Sequence, residues 1–472
     1  MKWIVKPLLI SIYLLALSAK AQNSGNYAIT NVTVIPMTGE SSRTNQTVFI
    51  ERGIIKRISA NVTNINKKYV VIDGTGKFLL PGFFDMHAHF FQEQGDNKNT
   101  CEMELKMMLA NGLTTVRILA GHPSYLEARE HVKNGHWVGP NLIIASPQFV
   151  GEWRWADAFK NYEVVANKAQ AIAAVKKCKQ SGYDEIKITF LVSRDAYEGV
   201  VMAAKEVGLR VTGHVGPRVK LPSALEAGQQ VEHMDQFIEM LLPDTTYNHG
   251  QSVSDLNIWS KRAWETVPYL DENKIPELVD RVKKSGIYVT PTNYFFFSSF
   301  GKGQAEDEYR KKPDYAFIPP NLKQERWEVR QRYLKNLPPE SSRIRYENIR
   351  KRITRELWQA GVPLMAGSDS PEWFLVQGFS IHDELETFVN AGLTPFGALQ
   401  TATVNPARYA GLIKSTGTIE EGKKADLLLL SEDPLKDIRN TRRIMAVFAG
   451  GHYFDQAKIK QLLDEARSLG QP

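Results

Sequence analysis

The strongest constraint on this chain is a rhythm. Between Gly82 and Ser370, eight short apolar segments recur with helical stretches between them. They are "GFFDMHAH", "TTVRILAG", "NLIIASPQF", "EIKITF", "RVTGHVG", "QQVEHMD", "IYVTPTNYF" and "PLMAGSDS". Stretches such as "ANKAQAIAAVKKCKQSG" and "RDAYEGVVMAAKEVG" carry the helical period between them. Strands alternating with helices predict an α/β chain with a parallel sheet, and eight such units are the count of a TIM barrel.

The chain has 472 residues, enough for a barrel and a second, smaller domain. From Tyr27 the pattern is short and β-like, as in "YAITNVTVI", "TVFIERGIIKRI" and "YVVIDGTGKFL". The far end repeats it in "ADLLLLSED" and "RRIMAVFAGGHYF". The expected architecture is therefore a (β/α)8 TIM barrel over 81–411, inserted into a small β-sandwich domain built from both chain ends, 22–80 and 412–472. Two long inserts, His233 to Tyr288 and Phe300 to Glu356, follow the sixth and seventh strands and are expected over the barrel mouth.

The first residues are a separate object. Lys2 and Lys6 precede an apolar run from Pro7 to Leu17, then Ala19-Lys20-Ala21. This order predicts a secretory signal peptide over 1–21, cut before Gln22, and a periplasmic or secreted protein with no stable membrane anchor. Removing its three lysines takes the formal net charge from +7 to +4. Lys and Arg concentrate between Arg310 and Arg355, alternating with Glu and aromatics, and predict a solvated helix face. With no recognition motif, that balance argues against nucleic-acid binding. Cys101 and Cys178, each in its own helical pattern, are expected to be buried free thiols. Oligomeric state leaves no mark in the pattern.

His87 and His89 end the first strand, and residues two apart share a strand face. Lys187 lies in the fourth strand, His214 ends the fifth, His233 the sixth and Asp369 the eighth. The C-terminal ends of barrel strands converge on one rim, where barrel enzymes build their sites. Each residue alone has an ordinary alternative. An HxH pair can sit in a turn, Lys187 can pair with Asp184 or Glu185, and Asp369 before Ser-Pro suits a turn. Together they predict a metal centre.

The set "PGFFDMHAH", "EIKI", "TGHVG", "VEHMD" and "AGSDS" resembles the amidohydrolase superfamily, in the branch holding imidazolonepropionase-like and Xaa-Pro dipeptidase-like enzymes. The tail "GTIEEGKKADLLLLSEDPLKDIRN" and the stretch "HDELETFVNAGLTPFGALQTATVNPARYAGL" extend the resemblance over nearly the whole mature chain. It implies a binuclear centre with two divalent metal ions; the donor type suits Zn2+, with manganese and iron left open. His87, His89 and Asp369 would hold the more buried ion, and His214 and His233 the second. Lys187 would bridge them as a carbamate made with carbon dioxide, because an ammonium has no lone pair to ligate. A hydroxide shared by the ions would attack a carbonyl, with Asp369 as general base and then acid.

The expected activity is hydrolysis of a C–N amide bond in a small molecule, a dipeptide or an N-acyl amino acid. Two other readings stay open: the same site acting on a lactone, another ester or a phosphotriester, and a catalytically inactive binding protein on this fold. Softer candidates for substrate contact are His122, Arg154, Arg218, Asn293, Tyr294 and His382. Trp155 adjoins Arg154 with the same ambiguity, and an N-terminal cap cluster is the alternative for His382 and Glu384.

Overall fold

A computed structural model describes residues 25–91, 98–152, 161–189, 191–234, 236–243, 261–300, 306–335 and 337–470. The expected signal peptide, Arg154 and Trp155 lie outside the described residues.

Five strands come first: β1 (Asn26–Val34), β2 (Arg43–Glu51), β3 (Ile54–Ala60), β4 (Val70–Asp73) and β5 (Phe78–Pro81). Next are β6 (Phe83–Ala88), β7 (Leu113–Ile118), β8 (Asn141–Ile144), β9 (Gln148–Val150), β10 (Tyr162–Val164), β11 (Glu185–Ile188), β12 (Arg210–Gly213), β13 (Gln230–Glu232) and β14 (Val289–Thr290). The last are β15 (Leu427–Leu430), β16 (Ile444–Ala449) and β17 (His452–Asp455).

The barrel closes through parallel pairs. β6, β7 and β8 run side by side, and Ala145 passes the pairing to Glu185 of β11. β11, β12, β13 and β14 follow in order. Pro147 lacks a backbone N–H, and the third strand is split there into β8 and β9. The eighth strand, expected over 363–370, is reduced to bridges, Leu364 to Val289 and Ser370 to Ala88. Gly367 and Asp369 explain the irregularity. A Cβ at Gly367 would meet His87 Cβ at 2.7 Å, and Asp369 sits at φ +55.

Local chemistry sets the barrel helices. Asn167 Oδ1 accepts from Gln170 N at the start of Lys168–Ser181, and Gly182 ends that helix at φ +90. Ser193 and Gly208 do the same for Arg194–Val207. Each long insert contains the helix its strand requires, Ile275–Ser285 before β14 and Glu340–Gln359 before the eighth strand.

Both chain ends build one eight-stranded sheet, in the order β17-β16-β15-β5-β1-β2-β3 with β4 also on β1. The first half of β1 pairs with β4 and its end with β5, so the sheet divides into two leaves there. Ile29, Val34, Val48, Leu79, Leu427 and Phe448 give it a core separate from that of the barrel. Cys101 and Cys178 are buried and free, and burial pushes the Cys178 thiol up to about 12. No described helix is long and apolar enough to cross a membrane.

The basic run from Arg310 to Arg355 departs from the expected solvated face. Arg330 and Arg350 are buried. The Arg350 guanidinium lies 3.8 Å from the Phe296 ring centroid and donates to the carbonyls of His233 and Pro291. An aromatic face and main-chain acceptors replace its lost water.

Candidate metal centre

Strand pairing assembles the site. Asp369 N donates to His87 O at 2.7 Å, and His89 N to Ser370 O at 2.7 Å, so the ends of the first and eighth strands lie in contact. Asp85 clamps the same junction. Its Oδ1 accepts from His87 N and Ser368 N, and its Oδ2 from Ser368 Oγ at 2.5 Å. Burial pushes the Asp85 carboxyl up to about 6. His233, Thr292 and Asp369, at the ends of strands six, seven and eight, all hold left-handed backbone, φ +62, +48 and +55. Such strain costs on the order of 1–2 kcal/mol per residue, and it recurs where side chains must be aimed.

Three buried side chains, His87, His233 and Asp369, bring ligand atoms within 4.8 Å of one another. Asp369 Oδ1 lies 3.3 Å from Nε2 of both His87 and His89, and its Oδ2 lies 3.6 Å from His233 Nδ1. The His214 ring stacks on His233 with centroids 4.7 Å apart. Lys187 is buried below them, its Cδ 3.0 Å from where a Cβ at Gly213 would stand. Glycine there lets the lysine stem pass. Five predicted residues thus gather with Lys187 at one end of the barrel.

The donor set fits a divalent cation. Burial, with the positive charge of Lys187 close by, holds His87 and His233 well below the usual imidazole range, so both are neutral and keep a lone pair. The tautomer of His87 follows from its neighbour. Nδ1 is 2.8 Å from Glu232 Oε2, and a carboxylate there only accepts, so Nδ1 carries the hydrogen and Nε2 faces the site.

Glu232 is itself held. Its Oε1 accepts from Arg117 Nη2 at 2.6 Å and Thr212 Oγ1 at 2.7 Å. Arg117 is fully buried, donates to Met86 O at 2.6 Å, and reaches Glu185 Oε2 at 3.3 Å. Glu185 thus serves Arg117, and Asp184 accepts from Arg129 Nη1 and Ile144 N. Glu232 and Arg117 were not singled out in the sequence. The signal was a charge inside an apolar strand, "TTVRILAG" and "VEHMD".

The softer candidates scatter. His122 is the N-cap of Pro123–Lys133, its Nδ1 accepting from Ser124 N. Arg218 is exposed beyond β12. Asn293 is a structural residue: Nδ2 donates to Thr354 Oγ1 and Oδ1 accepts from Arg350 Nε. The hydroxyl of Tyr294 pairs with Lys312, on the insert side. His382 corrects the expectation most clearly. Nε2 donates to Asn111 O at 3.1 Å and Nδ1 lies 3.0 Å from Thr441 Oγ1, at the opposite end of the barrel. Burial and Arg442 bring it down to about 3. Its neighbour Glu384 caps the helix Asn293–Phe300, accepting from Asn293 N and Tyr294 N, and burial pushes it up to about 8.

The second insert covers the rim. Helix Pro320–Leu334 packs Trp327 on Phe374, centroids 4.2 Å apart, and Phe374 follows Asp369 in the eighth loop.

Known proteins share this plan. Residues 78–453 match the amidohydrolase family. An ochratoxinase of Aspergillus niger is 24% identical over 92% of this chain and 88% of its own. Among solved structures, a bottromycin amidohydrolase superposes with TM-score 0.70 at 20% identity, over 94% of this chain and 91% of that one. A Xaa-Pro dipeptidase with bound methionine gives 0.66 at 19%, over 91% and 100%. The chain belongs to the amidohydrolase family, whose members use divalent metal, and is a hydrolase acting on carbon–nitrogen bonds with a His87–His233–Asp369 group able to hold a metal ion at its barrel rim.

Proposed function

We propose that this protein cleaves the amide bond of a dipeptide or an N-acyl amino acid outside the cytoplasm. The observation that carries this reading is the buried convergence of His87, His233 and Asp369, with His89, His214 and Lys187 around them. Relatives named ochratoxinase, Xaa-Pro dipeptidase and bottromycin amidohydrolase support an amide as the bond.

His87, His89, Asp369, His214 and His233 would hold two divalent ions, with Lys187 bridging as a carbamate. Bound there, the ions supply Lewis acidity and make water acidic enough to attack at neutral pH. The chain does the rest. Glu232 fixes the His87 tautomer. Asp369 takes a proton from the attacking water on a carboxylate oxygen and returns it to the departing nitrogen as the C–N bond breaks. Its contacts with three histidines keep it aimed at that point. The Lys187 carbamate would form from the neutral amine, the form that burial favours over the ammonium. The leader-like start at 1–21 supports export.

The test is metal content and turnover measured together, on the mature protein and on Lys187→Ala. Two ions per chain, lost with activity in the variant and partly restored by short-chain carboxylic acids, is the expected result. One ion per chain, indifferent to Lys187, overturns the bridged centre. Matched amide and ester substrates decide the bond, and ester-only turnover overturns the amide reading. The N-terminal sequence of the exported protein, expected to begin at Gln22, checks the compartment.

A further inference from the structure

Helix Pro320–Leu334 brings one more charge to the mouth. Arg326 reaches inward from it, with its guanidinium 5.8 Å from the ring centroid of Phe91. Phe91 stands two residues beyond His89, in the loop after β6. The acids whose charges act on Arg326 are Glu372, Glu325 and Glu104. Glu372 follows Asp369 by three residues, and it also feels the charges of Asp369 and His89. Arg326 therefore sits beside residues of the first and eighth loops, those that follow His89 and Asp369.

Its bonding differs from that of Arg117 and Arg350. Arg117 reaches two carboxylates, a carbonyl and two hydroxyls. Arg350 donates to an amide oxygen, two carbonyls and a hydroxyl. Arg326 has a buried Nη1 with no hydrogen-bond partner, and it forms no ion pair among the described residues. None of the nearby acids closes on it. Glu104 Oε2 is taken by Phe91 N and Gln377 Nε2, its Oε1 is buried with no hydrogen-bond partner and makes no ion pair with Arg326, and Glu325 is exposed. Arg326 is half-buried, but a guanidinium nitrogen buried without a partner is costly, and the group that best relieves it is a planar carboxylate bound in bidentate fashion.

We propose that Arg326 anchors the free carboxylate on the amine side of the scissile bond. It is thus a specificity residue that restricts this enzyme to amides releasing an amino acid. Dipeptides and N-acyl amino acids both carry that carboxylate, so the inference rests on the function proposed above and narrows it.

The experiment uses the metal-loaded full chain as wild type, Arg326→Gln and Arg326→Lys. Matched pairs are offered, N-acyl amino acids and dipeptides against their C-terminal carboxamides. Binding of N-acetyl-L-phenylalanine and its carboxamide is measured by calorimetry alongside turnover. Wild type is expected to favour the acids about tenfold or more, chiefly in KM. Arg326→Gln loses that preference by weakening the acids alone, and Arg326→Lys restores part of it. Equal use of acid and carboxamide by wild type, or a preference that survives in Arg326→Gln, overturns the proposal. Should no pair be hydrolysed, the functional reading fails, and calorimetry decides separately. Tighter acid binding that Arg326→Gln abolishes supports the anchor, while equal or absent binding overturns it. If Arg326→Gln does not fold, Arg326→Lys carries the same comparison, with a reduced but measurable acid preference expected.

Discussion

Two buried histidines, His87 and His382, sit at opposite ends of the same barrel and are made differently. Both are held neutral by burial. His382 has both ring nitrogens within hydrogen-bond distance of Asn111 O and Thr441 Oγ1, so the fold consumes it. His87 spends one nitrogen on Glu232 and turns the other toward Asp369. The lesson is that burial alone does not mark a ligand. A histidine with one nitrogen fixed by a carboxylate and the other aimed at further donors does.

The largest effect expected at the rim is that of Asp369→Asn. Losing the proton carrier should lower kcat by about 10³-fold or more, with the unfolding midpoint nearly unchanged. Steady-state kinetics beside thermal unfolding checks this. A comparable fall in His382→Leu would erase the contrast between the two ends. Next comes Glu232→Ala, which strikes His87 from behind. Metal affinity should fall about 10–100-fold. Stability should drop by about 3–5 kcal/mol, because Arg117 keeps its charge in the interior without its best partner. Metal titration and denaturant unfolding separate the two losses.

His382→Leu should cost about 1–3 kcal/mol through the groups it leaves unpaired, while kcat/KM stays within about twofold. The effect that vanishes at neutral pH is a slope. The native pKa of His382, about 3, is below the unfolded value of 6.5, so the unfolded chain binds the proton first as pH falls. Its contribution to stability is complete above pH 6.5 and is lost as the pH falls toward 3, at no more than about 1.4 kcal/mol per pH unit. His382→Gln keeps hydrogen-bonding groups but cannot titrate. Its stability should therefore fall less steeply than wild type over that window. An identical slope would remove His382 as the cause.

What the sequence made legible follows from distance along the chain. The eight strands, the β-like ends and the ligand-type residues at strand ends are local patterns, readable from periodicity and position. His382 in "SIHDELETF" and His87 in "DMHAH" look equally polar in an apolar setting. Only the folded partners, Thr441 for one and Glu232 for the other, separate them. Arg350 hid in a run of charges because its acceptors, the carbonyls of His233 and Pro291, belong to other loops. The eighth strand was legible by composition yet irregular in form, since aiming Asp369 at the histidines requires a backbone that no regular strand adopts.

The sheet made from both chain ends also sets the order in which the molecule can be assembled. β5 finds its neighbour β15 only when Pro81 meets Leu427, with the entire barrel strung between them. Gly82 N reaches Asp426 O across the same seam. During synthesis the first five strands must wait, edge exposed, until nearly the last residues emerge. The barrel can begin to close while they wait, and the late arrival of β15 then fastens the first strand, with His87 and His89 at its tip, to the rest of the molecule.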